Sequence, residues 1–120
     1  MIKVIMAMKR RPGMSIDEFR DYYETKHRVI GEKYLSGYAI KYIRRFTEPL
    51  PDRSGNITDP EFDVLMEIWY PDKETFEACG KNLQEPEIKK EINEDEEKLF
   101  DLSMMRSYIV EEHESDIKNT

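Results

Sequence analysis

The sequence contains few of the residues that build common cofactor and metal sites. Among 120 residues it has one cysteine, Cys79, and two histidines, His27 and His113. A lone cysteine excludes an internal disulfide and a multi-cysteine zinc site, and no ligand spacing suits a metal. The P-loop, the Rossmann glycine pattern, G-x-S-x-G and HExxH are also missing. Nothing therefore supports a nucleotide kinase, a dinucleotide dehydrogenase or a serine hydrolase, and we expect no metal and no cofactor.

Long apolar runs are missing as well. Only 38% of the residues are hydrophobic, and no apolar run approaches the roughly 20 residues that cross a bilayer. The basic cluster at residues 9–11 follows the first apolar stretch, whereas a secretory signal has the opposite order. These features predict a cytoplasmic protein that has no membrane partner.

Charge, in contrast, is abundant and unevenly distributed. The chain carries 19 basic and 26 acidic side chains, and the formal net charge of −7 argues against nucleic-acid binding. Residues 81–98 hold four lysines and seven acids, and residues 111–120 hold one lysine and four acids. Acidic runs usually form a solvated face. We therefore predict a single domain over residues 1–112, whose late helix is solvated, and an acidic tail over residues 113–120.

The spacing of apolar residues and turn residues predicts the order β-α-β-β-α-β. Ser15, with Glu18 three residues later, forms the pattern of a capping box, which marks the start of the first helix. We expect that helix to end near residues 31–35, and Gly80 to end a later helix that Asp72 caps. The predicted elements are strands at 2–8, 38–46, 62–70 and 104–110, helices from 16, at 73–79 and at 86–100, and a loop at 47–61.

This order predicts an α+β, ferredoxin-like protomer. In that arrangement, a four-stranded antiparallel sheet carries the helices on one face. The first and third strands have apolar residues on both faces, so the second face of the sheet also needs a cover. A second copy of the chain is the simplest cover, and we therefore predict a two-fold homodimer.

His27 is the most informative residue for chemistry. It lies one turn beyond Tyr23 and on the same helix face as Phe19, so its imidazole is expected to point into the fold. One interpretation is a core histidine that makes one hydrogen bond. The other is a general acid or base, because imidazole exchanges protons near neutral pH. His113 lies among the acids of the tail and is interpreted as solvated.

A catalytic histidine needs a polar group within hydrogen-bond reach, and the third strand offers two. Asp63 and Glu67 alternate with Leu65 and Trp69 on a strand face expected to be covered. Asp63 is the candidate catalytic partner, and Glu67 is the alternative partner and a candidate substrate-binding residue. The aromatic residues expected to stack on a substrate ring or to donate hydrogen bonds are Tyr23, Tyr38, Tyr42 and Trp69.

Several stretches together resemble the EthD family of the dimeric α+β barrel superfamily. The first is KRRPGMS at residues 9–15, and the second is FRDYYETKH at residues 19–27. Weaker matches are FDVLMEIWY at 62–70, Pro86 with residues 95–101, and RSYIVEE at 106–112. The resemblance covers nearly the whole chain.

The resemblance implies a homodimer whose sheets face each other and a pocket between the sheet and the helices of each protomer. It also implies that the histidine at the position of His27 is the catalytic candidate. We therefore predict a cofactor-independent lyase that removes water, carbon dioxide or another one-carbon unit from a small aromatic or phenolic metabolite. Two alternatives stay open: a non-catalytic dimer that binds a hydrophobic metabolite for an oxidation pathway, and a cofactor-free or haem-handling monooxygenase.

Overall fold

Regular elements cover most of the chain in the computed structural model, which describes residues 1–118. The final two residues of the predicted acidic tail lie outside the described residues. In chain order the elements are β1 (Ile2–Arg10), α1 (Ile16–Tyr22), a π-helical turn (Tyr23–His27), α2 (Arg28–Leu35), β2 (Lys41–Phe46), β3 (Val64–Tyr70), α3 (Lys73–Asn82), α4 (Pro86–Leu99) and β4 (Phe100–Ile109).

The strands form one antiparallel sheet in the order β2-β3-β1-β4. The two central strands pair Val4 with Ile68 and Met6 with Met66, so that these apolar side chains share a face. The helices cover this face, and Phe19, Tyr23 and Leu99 pack against it in the buried core. The α+β, ferredoxin-like arrangement predicted from the order of elements is therefore confirmed.

The opposite sheet face carries no helix in the described part of the chain, and we call it the open face. Strand alternation and register assign its members. They are Lys3, Ile5, Ala7, Lys41, Ile43, Arg45, Leu65, Glu67, Trp69, Arg106 and Tyr108. Large apolar side chains remain uncovered among them, since Leu65 is 37% exposed and Tyr108 is 53% exposed.

The first helical region starts as the sequence predicts. The Ser15 side chain accepts a hydrogen bond from the Glu18 amide at 3.1 Å, and the Glu18 carboxylate accepts one from the Ser15 amide at 3.2 Å. This reciprocal pair satisfies two amides that the helix itself leaves free, and it lowers the pKa of Glu18. The capping box is confirmed.

Helix α3 ends later than the sequence predicts. It passes through Gly80 and stops at Asn82, because Gly80 keeps an ordinary helical backbone and does not adopt a positive φ. The extra turn carries Leu83 to the edge of the hydrophobic core. Burial of that apolar side chain favours the longer helix over the stop that glycine would otherwise provide.

Three strand starts also differ from the prediction, and one of them is that of β3, which starts at Val64 and not at residue 62. Strand β2 starts at Lys41, because the amides of Tyr38 and Ala39 donate to the Leu35 carbonyl and extend the end of α2. Strand β4 starts at Phe100, directly after α4. Within residues 1–118, no helix combines the length and the apolar character that a membrane crossing requires.

Loss of the capping box gives a test of this fold. Ser15→Ala removes the side-chain acceptor for the Glu18 amide and should lower the free energy of unfolding by about 1 kcal/mol. Urea denaturation followed by circular dichroism measures the change. Ser36→Ala, at the exposed end of α2, is the matched control and should change stability by less than about 0.5 kcal/mol. Equal effects from the two substitutions would contradict the assigned cap.

Candidate active site

A cavity of about 200 Å³ opens between the helices and the sheet. Its wall is mainly apolar, with thioether, aliphatic and aromatic side chains from both layers. The apolar members are Met6, Met8, Ile30, Leu35, Met66, Ile68, Leu83, Ile92, Phe100 and Met105. The polar members are His27, Tyr34, Tyr42 and Glu96, which makes this cavity the best place for selective chemistry.

His27 joins the cavity to a buried carboxylate. Its Nδ1 lies 2.5 Å from Oδ2 of Asp95, a residue of α4 that is only 4% exposed. Asp95 is not part of the cavity wall, whereas the imidazole of His27 is. The ring therefore stands between the carboxylate and the cavity.

Tyr22 gives Asp95 a second hydrogen bond. Its hydroxyl donates to Oδ1 of Asp95 at 3.0 Å, while Oδ2 faces His27. Burial, together with this bond to the carboxylate, raises the pKa of Tyr22 to about 12. The phenol therefore stays protonated at neutral pH and remains a donor, so both carboxylate oxygens of Asp95 are held in fixed positions.

This network assigns the protonation pattern of the imidazole. A carboxylate accepts hydrogen bonds, so Nδ1 of His27 is the nitrogen that carries hydrogen. In a neutral ring, Nε2 then has a free electron pair. Among the described residues, Nε2 has no hydrogen-bond partner. The arrangement can therefore accept a proton from a molecule in the cavity.

The π-helical turn explains how His27 reaches this position. The amide of Arg28 bonds to the carbonyl of Tyr23, five residues back, so the turn is wider than an α-helical one. The Glu24 carbonyl is satisfied by Nε of Arg28 at 2.9 Å. Within this turn the rings of Tyr23 and His27 stack edge to face with centroids 4.6 Å apart.

The ring of His27 is also supported from the sheet. Phe100 packs edge-on against it, with centroids 5.2 Å apart. Farther along the wall, a Cβ at Gly31 would lie 3.0 Å from the Tyr42 hydroxyl, so glycine permits the Tyr42 ring to reach the cavity. The Phe100 contact limits the rotation of the imidazole, and the close approach of Tyr42 to Gly31 shapes the cavity wall.

Glu96 is a further polar group in the wall. It follows Ile92 by four residues and precedes Phe100 by four, and all three line the cavity. Asp95, one residue earlier on α4, points to the first helical region. Two acids that are adjacent in sequence therefore lie in different places, since Asp95 binds Nδ1 of His27 and Glu96 lines the cavity.

Asp63, predicted as the partner of His27, lies elsewhere. Its carboxylate accepts from Arg10 through Nη1 at 2.5 Å and through the Arg10 amide at 2.8 Å, and Lys9 lies 3.5 Å away. Asp63 is 4% exposed and does not line the cavity. The geometry assigns it to a buried ion pair that fastens the start of β3 to the end of β1.

Glu67 and Trp69 are also outside the cavity. Both lie on the open face, where Glu67 accepts from Nε1 of Trp69 and from Arg45 at 3.2 Å. The ammonium groups of Lys3 and Lys41 lie 3.8 and 4.3 Å from the Trp69 ring centroid. Strand alternation indicates that these side chains share a face, but it does not indicate which face the helices cover.

The three predicted tyrosines separate into different environments. Tyr42 lines the cavity, whereas Tyr23 is fully buried and Tyr38 packs at the edge of the core. Burial raises the pKa of Tyr23, and the neighbouring Tyr42 hydroxyl adds to this shift. The predicted set therefore contributes His27 and Tyr42 to one site.

Asp95 and Glu96 were not among the predicted site residues, although the sequence contains a signal for Asp95. The apolar stripe of α4 follows Ile88, Ile92 and Leu99, and Asp95 occupies the position between the last two. A carboxylate in an apolar stripe indicates a buried partner. Residues 81–98 are rich in acids, so Asp95 was interpreted as part of a solvated face. Asp95 is buried and does not belong to that face.

Other reactive groups are few. The described residues contain no cluster of three histidine, cysteine or acidic side chains that could hold a metal ion. Cys79 is buried, which raises the pKa of its thiol, and Tyr70 donates to its Sγ at 3.8 Å. The thiol is therefore held in its neutral form.

Comparisons with solved structures match the fold. HapK from Hahella chejuensis aligns with a TM-score of 0.56 and 9% identity, over 100% of both chains. A NIPSNAP-like domain protein from Burkholderia xenovorans aligns with a TM-score of 0.58 and 18% identity, over 98% of this chain and 89% of that one. At these identities the likeness concerns the fold alone.

Comparison with protein families identifies the relationship. No curated protein matches the chain. The EthD domain matches residues 11–103, a range that begins before α1 and includes the π-helical turn, His27 and Asp95. The chain belongs to the EthD domain family.

Proposed function

We propose that the protein is a cofactor-independent lyase that acts on a small aromatic or phenolic metabolite by acid/base chemistry. The observation that carries this proposal is the His27–Asp95 hydrogen bond at the wall of an apolar cavity. A hydrogen-bonded carboxylate fixes the imidazole tautomer and stabilises the imidazolium formed when Nε2 accepts a proton. Asp95 itself is a positioning residue, because it does not touch the cavity.

The size of the cavity supports a one-ring substrate. A protein cavity of about 150 Å³ lined by apolar side chains accepts benzene. The cavity beside His27 measures about 200 Å³, which leaves room for one aromatic ring and small substituents. The surrounding aromatic and thioether side chains offer favourable contacts to such a ring.

A non-catalytic binder of a hydrophobic metabolite is the second candidate function. The mainly apolar wall favours it, because such a wall would retain an aromatic molecule without any reaction. The two functions separate in one experiment. Incubation with a panel of one-ring phenols, followed by mass spectrometry, should give a product for a lyase and unchanged bound compound for a binder.

We propose further that two copies pair through the open face. Leu65 and Tyr108 expose apolar surface there, and Ile5 lies between their strands on the same face. No helix in the described part of the chain covers this surface. Pairing two copies would remove it from water, which stabilises association by roughly 25 cal/mol per Å² of apolar area.

The first test of the function is removal of the imidazole. His27→Ala should lower kcat/KM by about 10²–10⁴-fold on any substrate found in the phenol panel, because a positioned proton acceptor contributes that much. His113→Ala, in the exposed tail, is the matched control and should retain full activity. Circular dichroism verifies that both variants fold. Full activity in folded His27→Ala would remove the proposal.

The second test concerns the tautomer. Asp95→Asn can donate hydrogen to Nδ1, which moves the ring proton to Nε2 and removes the acceptor from the cavity. The 15N chemical shifts of His27 should report this exchange, and kcat should fall by about 10²-fold or more. Asp21→Asn, at an exposed position of α1, should change neither quantity. Unchanged 15N shifts in Asp95→Asn would contradict the assigned network.

The third test concerns the open face. Leu65→Lys places a charge in the proposed interface and should convert a dimer into a monomer in sedimentation experiments at micromolar concentration. Leu50→Lys, in the exposed loop after β2, is the control and should leave the dimer intact. A monomeric unmodified protein, or a dimeric Leu65→Lys variant, would contradict pairing through this face.

A further inference from the structure

Glu96 lines the same cavity as His27, and the proton transfer proposed for His27 does not involve it. It belongs to the row Ile92, Glu96 and Phe100, which α4 presents to the cavity at four-residue spacing. Its neighbour Asp95 is turned to His27 and Tyr22 instead. Helix α4 therefore places the Asp95 carboxylate at Nδ1 of His27 and the Glu96 carboxyl in the wall of the cavity.

The surroundings of Glu96 make ionisation of its carboxyl less favourable. Within residues 1–118, the side chain of Glu96 makes no hydrogen bond and no ion pair. Burial raises its pKa, His27 opposes this effect, and the charge of Asp95 adds to it. The other titratable groups in the wall are Tyr34 and Tyr42, and the Tyr34 hydroxyl is already engaged with Glu91.

We propose that Glu96 is a second catalytic residue, which donates a proton to an oxygen of an uncharged aromatic substrate while His27 accepts one. This inference rests on the proposed function of His27. Two groups of opposite role in one cavity are the arrangement that an elimination needs, since one removes a proton and the other protonates the leaving oxygen.

The step balances without any oxidant or reductant. Nε2 of His27 takes a proton from the carbon next to a carbonyl, and the electron pair of that C–H bond forms a carbon–carbon double bond. The bond from the neighbouring carbon to its hydroxyl oxygen breaks, and that oxygen takes the proton of Glu96 and leaves as water. A proton then returns from His27 to Glu96 and restores both groups.

The same geometry selects the class of substrate. The described cavity wall contains no lysine or arginine, so a substrate carboxylate would find no cationic partner there. It would also face Glu96, which repels an anion whenever it is ionised. The substrate class is therefore an uncharged aromatic or phenolic compound that bears a β-hydroxy ketone, and water is favoured over carbon dioxide as the leaving group.

A binding experiment tests the carboxyl directly. His27→Gln removes the imidazole, and benzenesulfonate stays an anion at every working pH, so its binding to this variant, followed by NMR titration, should weaken by about tenfold as the pH rises through the ionisation of Glu96. In His27→Gln/Glu96→Gln the pH dependence should vanish. His27→Gln/Glu97→Gln, altered at the exposed neighbouring position, should keep it. A dependence that survives Glu96→Gln, or one absent from His27→Gln itself, would overturn the inference.

An activity experiment separates this inference from the function on which it rests. For a substrate from the phenol panel, Glu96→Gln should lower kcat/KM by about 10²-fold or more and abolish the falling limb of its pH profile. Glu97→Gln should preserve both. An inactive His27→Ala with a fully active Glu96→Gln would remove only the role of Glu96, whereas a fully active His27→Ala would remove the proposed function.

Discussion

A buried carboxylate without a cationic partner constrains the arrangement of the helices. Asp95 is almost completely removed from water, and its charge is stabilised by two donors, the His27 imidazole and the Tyr22 hydroxyl. Burying a charge costs much more than a neutral group unless hydrogen bonds replace the lost water. Helix α4 must therefore pack where both donors reach one carboxylate. That position also sets the width of the space between α4 and the sheet, which is the cavity.

The π-helical turn places the His27 imidazole where it can bind Asp95. An α-helical continuation through residues 23–27 would rotate the His27 ring away from its present direction, because each residue contributes about 100° of rotation. The wider turn holds the ring over Tyr23 and against Phe100, with Nδ1 toward Asp95. Arg28 stabilises the turn by binding the Glu24 carbonyl. The π-helical turn thus supplies one of the two hydrogen-bond donors that stabilise the buried Asp95 carboxylate.

Sequence patterns predicted the fold more completely than the site. Alternation in the third strand, the capping box at Ser15 and Pro86 at the start of α4 are local signals. The cap and Pro86 appear at the predicted places, and β3 starts two residues later than predicted, at Val64. His27 was also found from its helix face. Its partner was not, because Asp95 lies 68 residues away within an acidic run that resembles a solvated surface. Which strand face the helices cover, and hence the place of Glu67, depends on tertiary packing.

The cavity wall has an uncommon composition for its size, since four of its members are the methionines Met6, Met8, Met66 and Met105. Methionine is unbranched and polarizable, so the same backbone can close around rings of different outline by changing side-chain rotamers. The acid/base groups come from helices, whereas these thioethers come from the sheet. Selectivity can therefore evolve through single substitutions on β1, β3 and β4, while the proton-transfer groups stay in place. The thioethers also make this wall the part of the site most readily altered by oxidation.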